Sequence, residues 1–310
     1  MLGGSFALGR WAWDPGGLQL AGRGDGQVRD FRVNAGPASS QSGLPLPQMA
    51  IAKSTKDPGE LCRRAVNALG GMNRFISRGD VVAVKPNIGW DRLPVHAANS
   101  NPAVVAAVVK MAFEAGAARV VVTDASCNEA VRCFQRSGIW QASYDVGATV
   151  ILPADHRFAE LRLGGEVLDL WPIYKPVIEA DKVINVPIAK HHNLSFYTGA
   201  LKNWYGLLGG RRNRLHQNIH TSIADLGSFL RPTLTVLDAT RVLLRNGPQG
   251  GNLDDAAFRH QVIASTDPVA VDSYGCALIG QDPTQVRYLA MAEERSLGTR
   301  ALETVRTVIA

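Results

Sequence analysis

The sequence has 310 residues, of which 46% are hydrophobic and 19% are charged, and its formal net charge is +6. This length allows one large α/β domain or two lobes, because domains usually contain about 100–200 residues. The basic residues are scattered apart from Arg211, Arg212 and Arg214, and none of them form an aromatic-interleaved stripe. The composition therefore favours a small anionic molecule over nucleic acid as the partner.

The N-terminal segment 1–47 is predicted to be an irregular extension or a truncated export leader. It is rich in Gly, Ser, Pro and Gln, which favour turns over packed elements. Residues 1–13 are apolar but have neither a basic leading region nor a clear cleavage site, so the sequence as written predicts a soluble, cytoplasmic protein. No stretch approaches the roughly 20 apolar residues that a membrane-spanning helix needs.

The cysteines give little sign of a metal or disulfide framework. They are few and widely spaced, with no CxxC pair, at Cys62, Cys127, Cys133 and Cys276. This spacing argues against a zinc ribbon or an iron–sulfur cluster held by this chain alone. Buried, inert thiols are the favoured interpretation, and a redox or metal role for Cys127 or Cys133 is the alternative.

The first elements alternate between helix and strand. After the apolar run Met49–Ala52, Asp57 is expected to start a helix that stops at Gly70. The β-branched run Val81–Val84 then predicts a buried strand, which proline ends in the segment Lys85–Asn87.

The alternation continues with a helix that starts at Asn101, followed by proline, and stops at Gly116. The next strand is Arg119–Thr123, which ends at Asp124. Ser126 or Asn128 is expected to cap a further helix that stops near Gly138. That helix is expected to carry both Cys127 and Cys133.

Three strands are predicted in the second half, namely Lys182–Val186, Leu234–Leu237 and Val262–Ala264. The predicted fold class is therefore α/β, with a largely parallel sheet flanked by helices. Residues 48–310 are expected to form one domain, and a division of this domain into two lobes is the alternative. Ligands of such sheets bind outside the carboxyl ends of the strands. The polar residues expected to converge on a crevice there are Lys85, Asn87, Asp124, Lys190, His191, His192, Asp238 and Asp267.

The densest group of chemically active residues lies between positions 190 and 220. It contains four of the seven histidines, two lysines and the arginine cluster. Imidazole suits proton transfer near neutral pH and metal binding, and Arg and Lys recognise carboxylate or phosphate. His216 and His220 are four residues apart, so if both lie on a helix they share one face and could bind one metal; the alternative is a solvated basic helix face.

Three further features have a structural and a functional interpretation. Lys202, with Asn203, lies in an apolar stretch, where desolvation would suit a nucleophile or Schiff base, although a lysine stem also simply covers apolar surface. The glycine-rich loop 246–251 is predicted to be a turn in preference to an anion site. Asp267 is expected to cap a helix, and the role of Asp272 within it is open.

Five ordered motifs resemble the family named domain of unknown function 362. They are Val84–Asn87, Ile184–His192, Ala200–Gly206, Asn246–Gly251 and Asp267–Asp272. The resemblance covers roughly residue 49 to the C-terminus, and the family has no settled activity. It implies association with an iron–sulfur module in some members and a twin-arginine export leader in others, neither of which this sequence shows.

A weaker resemblance is to the nickel-dependent lactate racemase superfamily. His192, Lys202 and then His216 or His220 occur in the order of its site residues. The resemblance implies that His192 moves a proton, that Lys202 holds a pyridinium-type cofactor and that His216 or His220 binds the metal. The segment Tyr197–Leu201 departs from the glycines that precede the lysine in that superfamily.

The leading hypothesis is an enzyme or enzyme-like protein that binds a small anionic substrate, with redox or racemase-like and isomerase-like reactions as the candidate chemistry. The expected catalytic residues are Lys190, His191, His192 and Lys202. The expected substrate-binding residues are Lys85, Asn87, Asp124, Asn203, Arg211, Asp238 and Asp272. A bound metal, nickel or iron, or an iron–sulfur partner is the expected redox component. The alternative is a non-catalytic accessory or binding module for an iron–sulfur protein.

Overall fold

The computed structural model describes residues 28–33 and 46–310. The predicted irregular extension 1–47 lies largely outside the described residues. The described part of this extension contains strand β1 (Arg29–Asp30), which pairs in parallel with a two-residue strand at Leu230–Arg231. Residues 28–33 therefore lie against the domain, and the division of the chain at residue 47 stays a prediction.

A ten-stranded mixed sheet runs through the described part of the chain. The strands after β1 are β2 (Met49–Ala52), β3 (Val81–Pro86), β4 (Arg119–Thr123), β5 (Thr149–Ile151), β6 (Phe158–Arg162), β7 (Leu170–Tyr174), β8 (Lys182–Val186), β9 (Ile188–His192), β10 (Phe196–Thr198), β11 (Leu230–Arg231), β12 (Leu234–Leu243), β13 (Ala256–Ser265) and β14 (Thr307–Ile309). The order along the large sheet is β14-β2-β13-β12-β8-β3-β4-β5, with the β9–β10 hairpin attached to β12. Strands β6 and β7 form a separate antiparallel pair.

Helices cover both faces of this sheet. They are α1 (Pro58–Ala68), α2 (Pro102–Glu114), α3 (Ala130–Arg136), α4 (Ile139–Asp145), α5 (Lys175–Ile178), α6 (Ile219–Phe229), α7 (Pro268–Leu278) and α8 (Arg287–Glu294). Successive strand residues point to opposite faces, so Val82 and Val84 pack with α1 to α4, whereas Ala83 packs with the cluster of α6 to α8. One sheet is thus shared by two hydrophobic cores.

The predicted α/β class with a largely parallel sheet is confirmed, and several elements agree closely with the sequence. Asp57 and Asn101 cap α1 and α2, and in both helices proline occupies the first turn. The strands Arg119–Thr123 and Lys182–Val186 have the predicted bounds. Strong local signals, namely a capping side chain followed by proline and a β-branched run, determine these elements.

Three expectations about elements are wrong. Strand β13 runs antiparallel to both β12 and β2, so its carboxyl end, with Asp267, lies at the edge of the sheet opposite the predicted crevice. The residues after Pro187 form strand β9 and not a strand end. Glu129, not Ser126 or Asn128, caps α3, because both of its carboxylate oxygens accept backbone N–H groups, so Cys127 precedes that helix.

No helix in the described residues is long and apolar enough to cross a membrane.

Candidate functional site

A cavity of about 360 Å³ opens at the carboxyl ends of β3 and β4 and beside the β9–β10 hairpin. Its polar lining residues are Lys85, Asn87, Asp124, Cys127, Lys190, His192, Thr198, Lys202, Asn203, Tyr205, Arg212, Asn213 and His216. Adjacent parallel strands end at one edge of a sheet, which is why residues distant in sequence meet here. The volume suits a small molecule.

A buried ion pair forms one side of the cavity. Lys85 in β3 and Asp124 after β4 lie on neighbouring parallel strands, and Lys85 Nζ is 2.7 Å from Asp124 Oδ1. Burial lowers the pKa of Lys85, and the adjacent Asp124 carboxylate opposes that shift. The second oxygen of Asp124 accepts the backbone N–H of Ile88 at 2.6 Å, so this carboxylate holds the loop that follows β3.

Two asparagines extend this network. Asn203 Oδ1 accepts hydrogen bonds from Lys85 Nζ at 3.1 Å and from Asn87 Nδ2 at 3.0 Å. Its Nδ2 donates to the Lys85 carbonyl and to Asn185 Oδ1. Because both ends of the Asn203 amide are occupied, this residue fixes the positions of its neighbours and has little capacity left for a ligand.

The β9–β10 hairpin presents three residues to the cavity from one face. Lys190 and His192 are two positions apart on β9, so both project from the same side of the strand. Thr198 on β10 lies directly opposite Lys190 in the antiparallel register and shares that side. All three residues line the cavity. His191 projects from the other side of the hairpin.

His192 has a defined tautomer. Its Nδ1 accepts hydrogen bonds from the backbone N–H groups of Leu194 at 3.1 Å and Ser195 at 3.3 Å. A neutral imidazole that accepts at Nδ1 carries its hydrogen on Nε2. Burial lowers the pKa of His192 to about 2, and nearby Lys202 and Lys190 lower it further. The ring is therefore neutral at physiological pH and offers one N–H donor.

Lys202 is buried without an ion pair. It is 7% exposed, and its Nζ lies 4.3 Å from the centre of the Tyr205 ring. Among the described residues no hydrogen bond or carboxylate contact to its ammonium group is formed. Desolvation lowers the pKa of Lys202 to about 8, with a smaller contribution in the same direction from Arg212. A lysine with this pKa exchanges protons near neutral pH.

Lys190 is similarly deep in the protein. Its Nζ donates to Asn87 Oδ1 at 3.0 Å and to the Ala98 carbonyl at 2.5 Å. These contacts use two of the three ammonium hydrogens and leave one for a ligand. Desolvation lowers the pKa of Lys190 to about 7, because neither contact brings a full negative charge.

Arg212 and Cys127 lie together at another side of the cavity. The Arg212 guanidinium donates to the carbonyls of Ala125 at 2.8 Å, Tyr205 at 3.1 Å and Ser126 at 2.6 Å. Its Nη2 is also 3.5 Å from Cys127 Sγ. Arg212 therefore fixes the loop after β4 while adding positive charge to the cavity. Cys127 is exposed, whereas the other three cysteines are buried.

The comparisons with known proteins bear on this site. A family model described as domain of unknown function (DUF362) matches residues 82–277, which include every polar lining residue named above. The chain belongs to this family. Thylakoid-associated protein sll1697 of Synechocystis sp. is 26% identical over 249 residues, which are 78% of this chain and 76% of that relative.

Two solved structures are similar to this family member at 12% sequence identity. The lactate racemase apoprotein from Thermoanaerobacterium thermosaccharolyticum has a TM-score of 0.43, covering 76% of this chain and 58% of that one. A protein from Thermotoga maritima has a TM-score of 0.38, with coverages of 77% and 59%. The chain spans less than two thirds of the length of either structure. TM-scores this low support no argument about the chemistry of this chain.

The structure brings together most of the residues predicted for the site. Lys85, Asn87, Asp124, Lys190, His192, Lys202, Asn203 and His216 all line the cavity. The family motifs Val84–Asn87 and Ala200–Gly206 contribute four of them. His191, Arg211, His220, Asp238 and Asp272 do not line it. The catalytic and binding roles assigned to all of these residues stay predictions.

The predicted residues outside the cavity have structural contacts. Asp238 is buried and accepts the backbone N–H groups of Asn101 at 2.7 Å and Thr240 at 2.9 Å, which ties β12 to the start of α2. Asp272 accepts the N–H groups of Ala200 at 2.5 Å and Leu201 at 3.0 Å. Burial raises the pKa of Asp272 to about 7. It holds the turn that precedes Lys202.

His191 supports the glycine-rich loop. Its Nδ1 accepts the backbone N–H of Gly247 at 3.2 Å. A Cβ at position 247 would lie 1.9 Å from the His191 carbonyl oxygen, so only glycine allows this approach. The loop 246–251, predicted to be a turn, thereby packs on the hairpin and adds Pro248 to the cavity lining.

The expectation that His216 and His220 share a face of one helix is wrong. His216 lies in a 3₁₀ segment, Arg212–Asn218, whereas His220 lies in α6. The His216 ring is 6.3 Å from the His192 ring, and the His220 ring stacks on Tyr288 at 6.2 Å. Within residues 28–33 and 46–310, no group of three or more His, Cys, Asp and Glu side chains could hold a metal ion. A metal role for this pair stays a prediction.

Sequence reasoning missed Arg212, Thr198 and Tyr205. Arg212 belongs to the arginine cluster, but the neighbouring Arg211 was expected at the site, and the composition does not distinguish them. The alternation of side chains along residues 190–192 and 196–198 was the available signal for Thr198. This alternation places Thr198 beside Lys190 only when the two segments are known to pair as a hairpin.

Proposed function

We propose that this protein is an enzyme that binds a small carboxylate- or phosphate-bearing substrate in the cavity and transfers a proton on that substrate. The observation that carries the proposal is the charge of the lining. Lys190, Lys202 and Arg212 line the cavity together, and the only acidic lining residue in the described part of the chain, Asp124, is paired with Lys85. An anionic group would compensate these charges.

The enclosed position of the lysines also supports binding. Lys190 and Lys202 are 1% and 7% exposed, and a buried ammonium group without a carboxylate is costly. A substrate anion would supply the missing partner at a site where water competes poorly. The neutral side chains nearby, His192 and Thr198, are hydrogen-bonding groups suited to orienting such a group.

Lys202 is the proposed proton acceptor. Its pKa of about 8 gives a useful fraction of the neutral amine at physiological pH. Its amine also has no hydrogen-bond partner among the described residues that would compete with a substrate. Racemases and isomerases that abstract a proton next to a carboxylate need such a base, so this reaction class fits the site better than hydride or electron transfer.

The test is hydrogen exchange catalysed by the protein. The full chain is incubated in deuterium oxide with a panel of small carboxylates and phosphate esters, and deuterium incorporation into each compound is followed by proton NMR and mass spectrometry. We expect incorporation into at least one compound with the wild type and none above background with Lys202→Met. Lys56→Met, which removes an exposed lysine, is the matched control and should behave as the wild type.

The same experiment separates this proposal from the accessory-module alternative. A binding module for an iron–sulfur protein would show no exchange with any compound but would form a stable complex with that protein in a gel-filtration experiment. Exchange that persists unchanged in Lys202→Met would contradict the assignment of the base while leaving the enzyme proposal in place.

A further inference from the structure

The inner face of the β9–β10 hairpin contains hydrogen-bond donors that lack a partner. Thr198 is 4% exposed, and its Oγ1 has no hydrogen-bond partner among the described residues. Lys190 has one ammonium hydrogen left after its bonds to Asn87 and Ala98. His192 offers Nε2–H because its Nδ1 is already bonded to two backbone amides. We call Lys190, His192 and Thr198 the donor wall.

The geometry of the hairpin explains why these donors lie together. Lys190 and His192 alternate with His191 along β9, and Thr198 is the cross-strand partner of Lys190. The backbone pairing therefore places the three side chains on one face at neighbouring positions. Rigid strands hold them in place more accurately than loops would.

We infer that the donor wall is an oxyanion subsite. In this subsite His192 serves as a fixed hydrogen-bond donor and not as an acid–base residue. The substrate group that binds to the donor wall is an acceptor-only group such as a carboxylate or phosphate. This inference rests on the proposed function and deepens it. An ionised carboxylate or phosphate offers acceptors alone, whereas a ligand hydroxyl or amide also carries donors that Lys190 and His192 cannot accept. An oxyanion matches every available donor.

The division of roles differs from the one that the weaker resemblance implies for His192. A ring whose Nδ1 accepts two backbone N–H groups cannot take up a proton there without breaking both bonds. Its Nε2 already carries a hydrogen and cannot accept another. His192 therefore stabilises negative charge on the substrate oxygen, and Lys202 is left as the group that takes the proton.

The first test observes the tautomer directly. The full-length protein is labelled with nitrogen-15 at histidine, and the ring of His192 is assigned by comparison with His192→Gln in long-range proton–nitrogen spectra. We expect a neutral ring with its hydrogen on Nε2 throughout the range from pH 5 to pH 8. A hydrogen on Nδ1, or titration of the ring between pH 6 and pH 7, would overturn the inference even if an anion binds.

The second test measures anion binding through Cys127, the exposed cysteine in the cavity lining. The rate of alkylation of Cys127 by iodoacetamide is followed by mass spectrometry at increasing concentrations of oxalate or inorganic phosphate. We expect protection in the wild type. We expect about five- to tenfold weaker apparent affinity in Thr198→Val and in His192→Ala, since each variant loses one hydrogen bond to a charged group.

Two matched variants make this test specific. Thr235→Val removes a second buried hydroxyl without a partner, at a position outside the cavity lining, and should leave the affinity unchanged. His192→Gln keeps an amide N–H donor near the position of Nε2 but cannot exchange protons near neutral pH, and it should retain affinity within about threefold of the wild type.

The outcomes distinguish this inference from the proposed function. Protection that is unaffected in Thr198→Val and His192→Ala would overturn the donor wall while an anion site elsewhere in the cavity remains. Affinity lost equally in His192→Gln and His192→Ala would overturn the donor role of His192. Absence of protection by any anion in the wild type would overturn both this inference and the proposed function.

Discussion

Burial separates Lys190 and Lys202 chemically from the surface lysines. Desolvation disfavours the ammonium form in both side chains, and in the described residues neither forms an ion pair that offsets it. Lys85 shows the contrast, because its Nζ has the Asp124 carboxylate 2.7 Å away. The cavity thus contains one lysine paired with a carboxylate and two whose charge depends on pH and on a bound anion.

The first prediction at the residue scale concerns pH. The two lysines are charged below their pKa values of about 7 and about 8 and neutral above them. We expect the affinity for oxalate, which keeps its charge over this range, to fall as pH rises from 6 to 9. The affinity at each pH is measured from the protection of Cys127 by oxalate against alkylation.

The matched variants for this prediction are Lys202→Met and Lys56→Met. Lys202→Met should bind oxalate more weakly at pH 6 and should lose the part of the pH dependence centred near pH 8. Lys56→Met changes an exposed lysine and should keep the full profile. An affinity that does not change between pH 6 and pH 9 in the wild type would contradict the prediction.

The second prediction separates two neighbouring arginines. Arg212 lines the cavity and donates to four backbone carbonyls, whereas Arg211 is exposed and lies outside the lining. We expect Arg212→Ala to weaken oxalate binding about tenfold or more, since it removes a charge from an enclosed site. Arg211→Ala should change the affinity by less than about twofold, because exposed charges are screened. Equal losses of oxalate affinity in both variants would contradict the placement of Arg212 inside the cavity and Arg211 outside it.

At the scale of elements, the close approach of the Lys202–Leu207 segment to the ends of β3 and β4 creates the site. Gly206 in this 3₁₀ segment passes against the Lys85–Asp124 pair, and its carbonyl accepts the backbone N–H of Ala125 at 2.9 Å. A Cβ at position 206 would lie 1.8 Å from Asp124 Oδ1 and 2.5 Å from Lys85 Nζ. The ion pair and the 3₁₀ segment therefore fit only if this residue is glycine.

The third prediction follows from this contact. Gly206→Ala should lower the free energy of unfolding by about 1–3 kcal/mol, because the added methyl group must displace buried charged groups or backbone. It should also reduce the protection of Cys127 by oxalate. Urea unfolding followed by circular dichroism gives the free energy.

Gly59→Ala is the control for this prediction. A Cβ at position 59 in α1 meets its nearest neighbour, Asp57 Oδ1, at 3.4 Å, which is an ordinary contact. Because alanine favours the helical conformation over glycine, Gly59→Ala should leave stability unchanged or raise it by up to about 1 kcal/mol. A Gly206→Ala protein as stable as Gly59→Ala would show that the segment moves away at little cost.

At the scale of the whole molecule, a single sheet connects two hydrophobic cores. Alternate residues of one strand belong to different cores, as Ile263 and its neighbours Val262 and Ala264 show. The strands that carry one core also carry the other, so unfolding these strands disrupts both cores. We therefore expect residues 46–310 to unfold as one cooperative unit and not as two independent lobes.

The fourth prediction uses buried cysteines as reporters of the two cores. Cys276 belongs to the core on the side of α6 to α8, and Cys62 and Cys133 belong to the core on the side of α1 to α4. We expect all three thiols to become reactive at the same urea concentration in brief pulses of alkylation, identified by mass spectrometry. Cys127 is exposed and should react at every concentration, which provides the internal control. Separate midpoints for Cys276 and Cys62 would indicate two lobes.

Much of the fold could be predicted from the sequence, because its signals are local. The N-caps at Asp57 and Asn101 followed by proline, the β-branched strands and the glycine stops act within a few residues. Strand direction is not local. The direction of β13 depends on its pairing with β12 and β2, and this was the feature that the alternating pattern of strands and helices predicted wrongly.

The sequence by itself determined the element types, the α/β class and the concentration of lysine, arginine and histidine near one group of strand ends. Only the tertiary structure decided which of those side chains meet. His191 and His192, or Arg211 and Arg212, are adjacent and chemically alike in sequence, yet one member of each pair lines the cavity and the other does not. The reason is that the direction of a side chain depends on strand pairing and packing, which involve residues far apart in the chain.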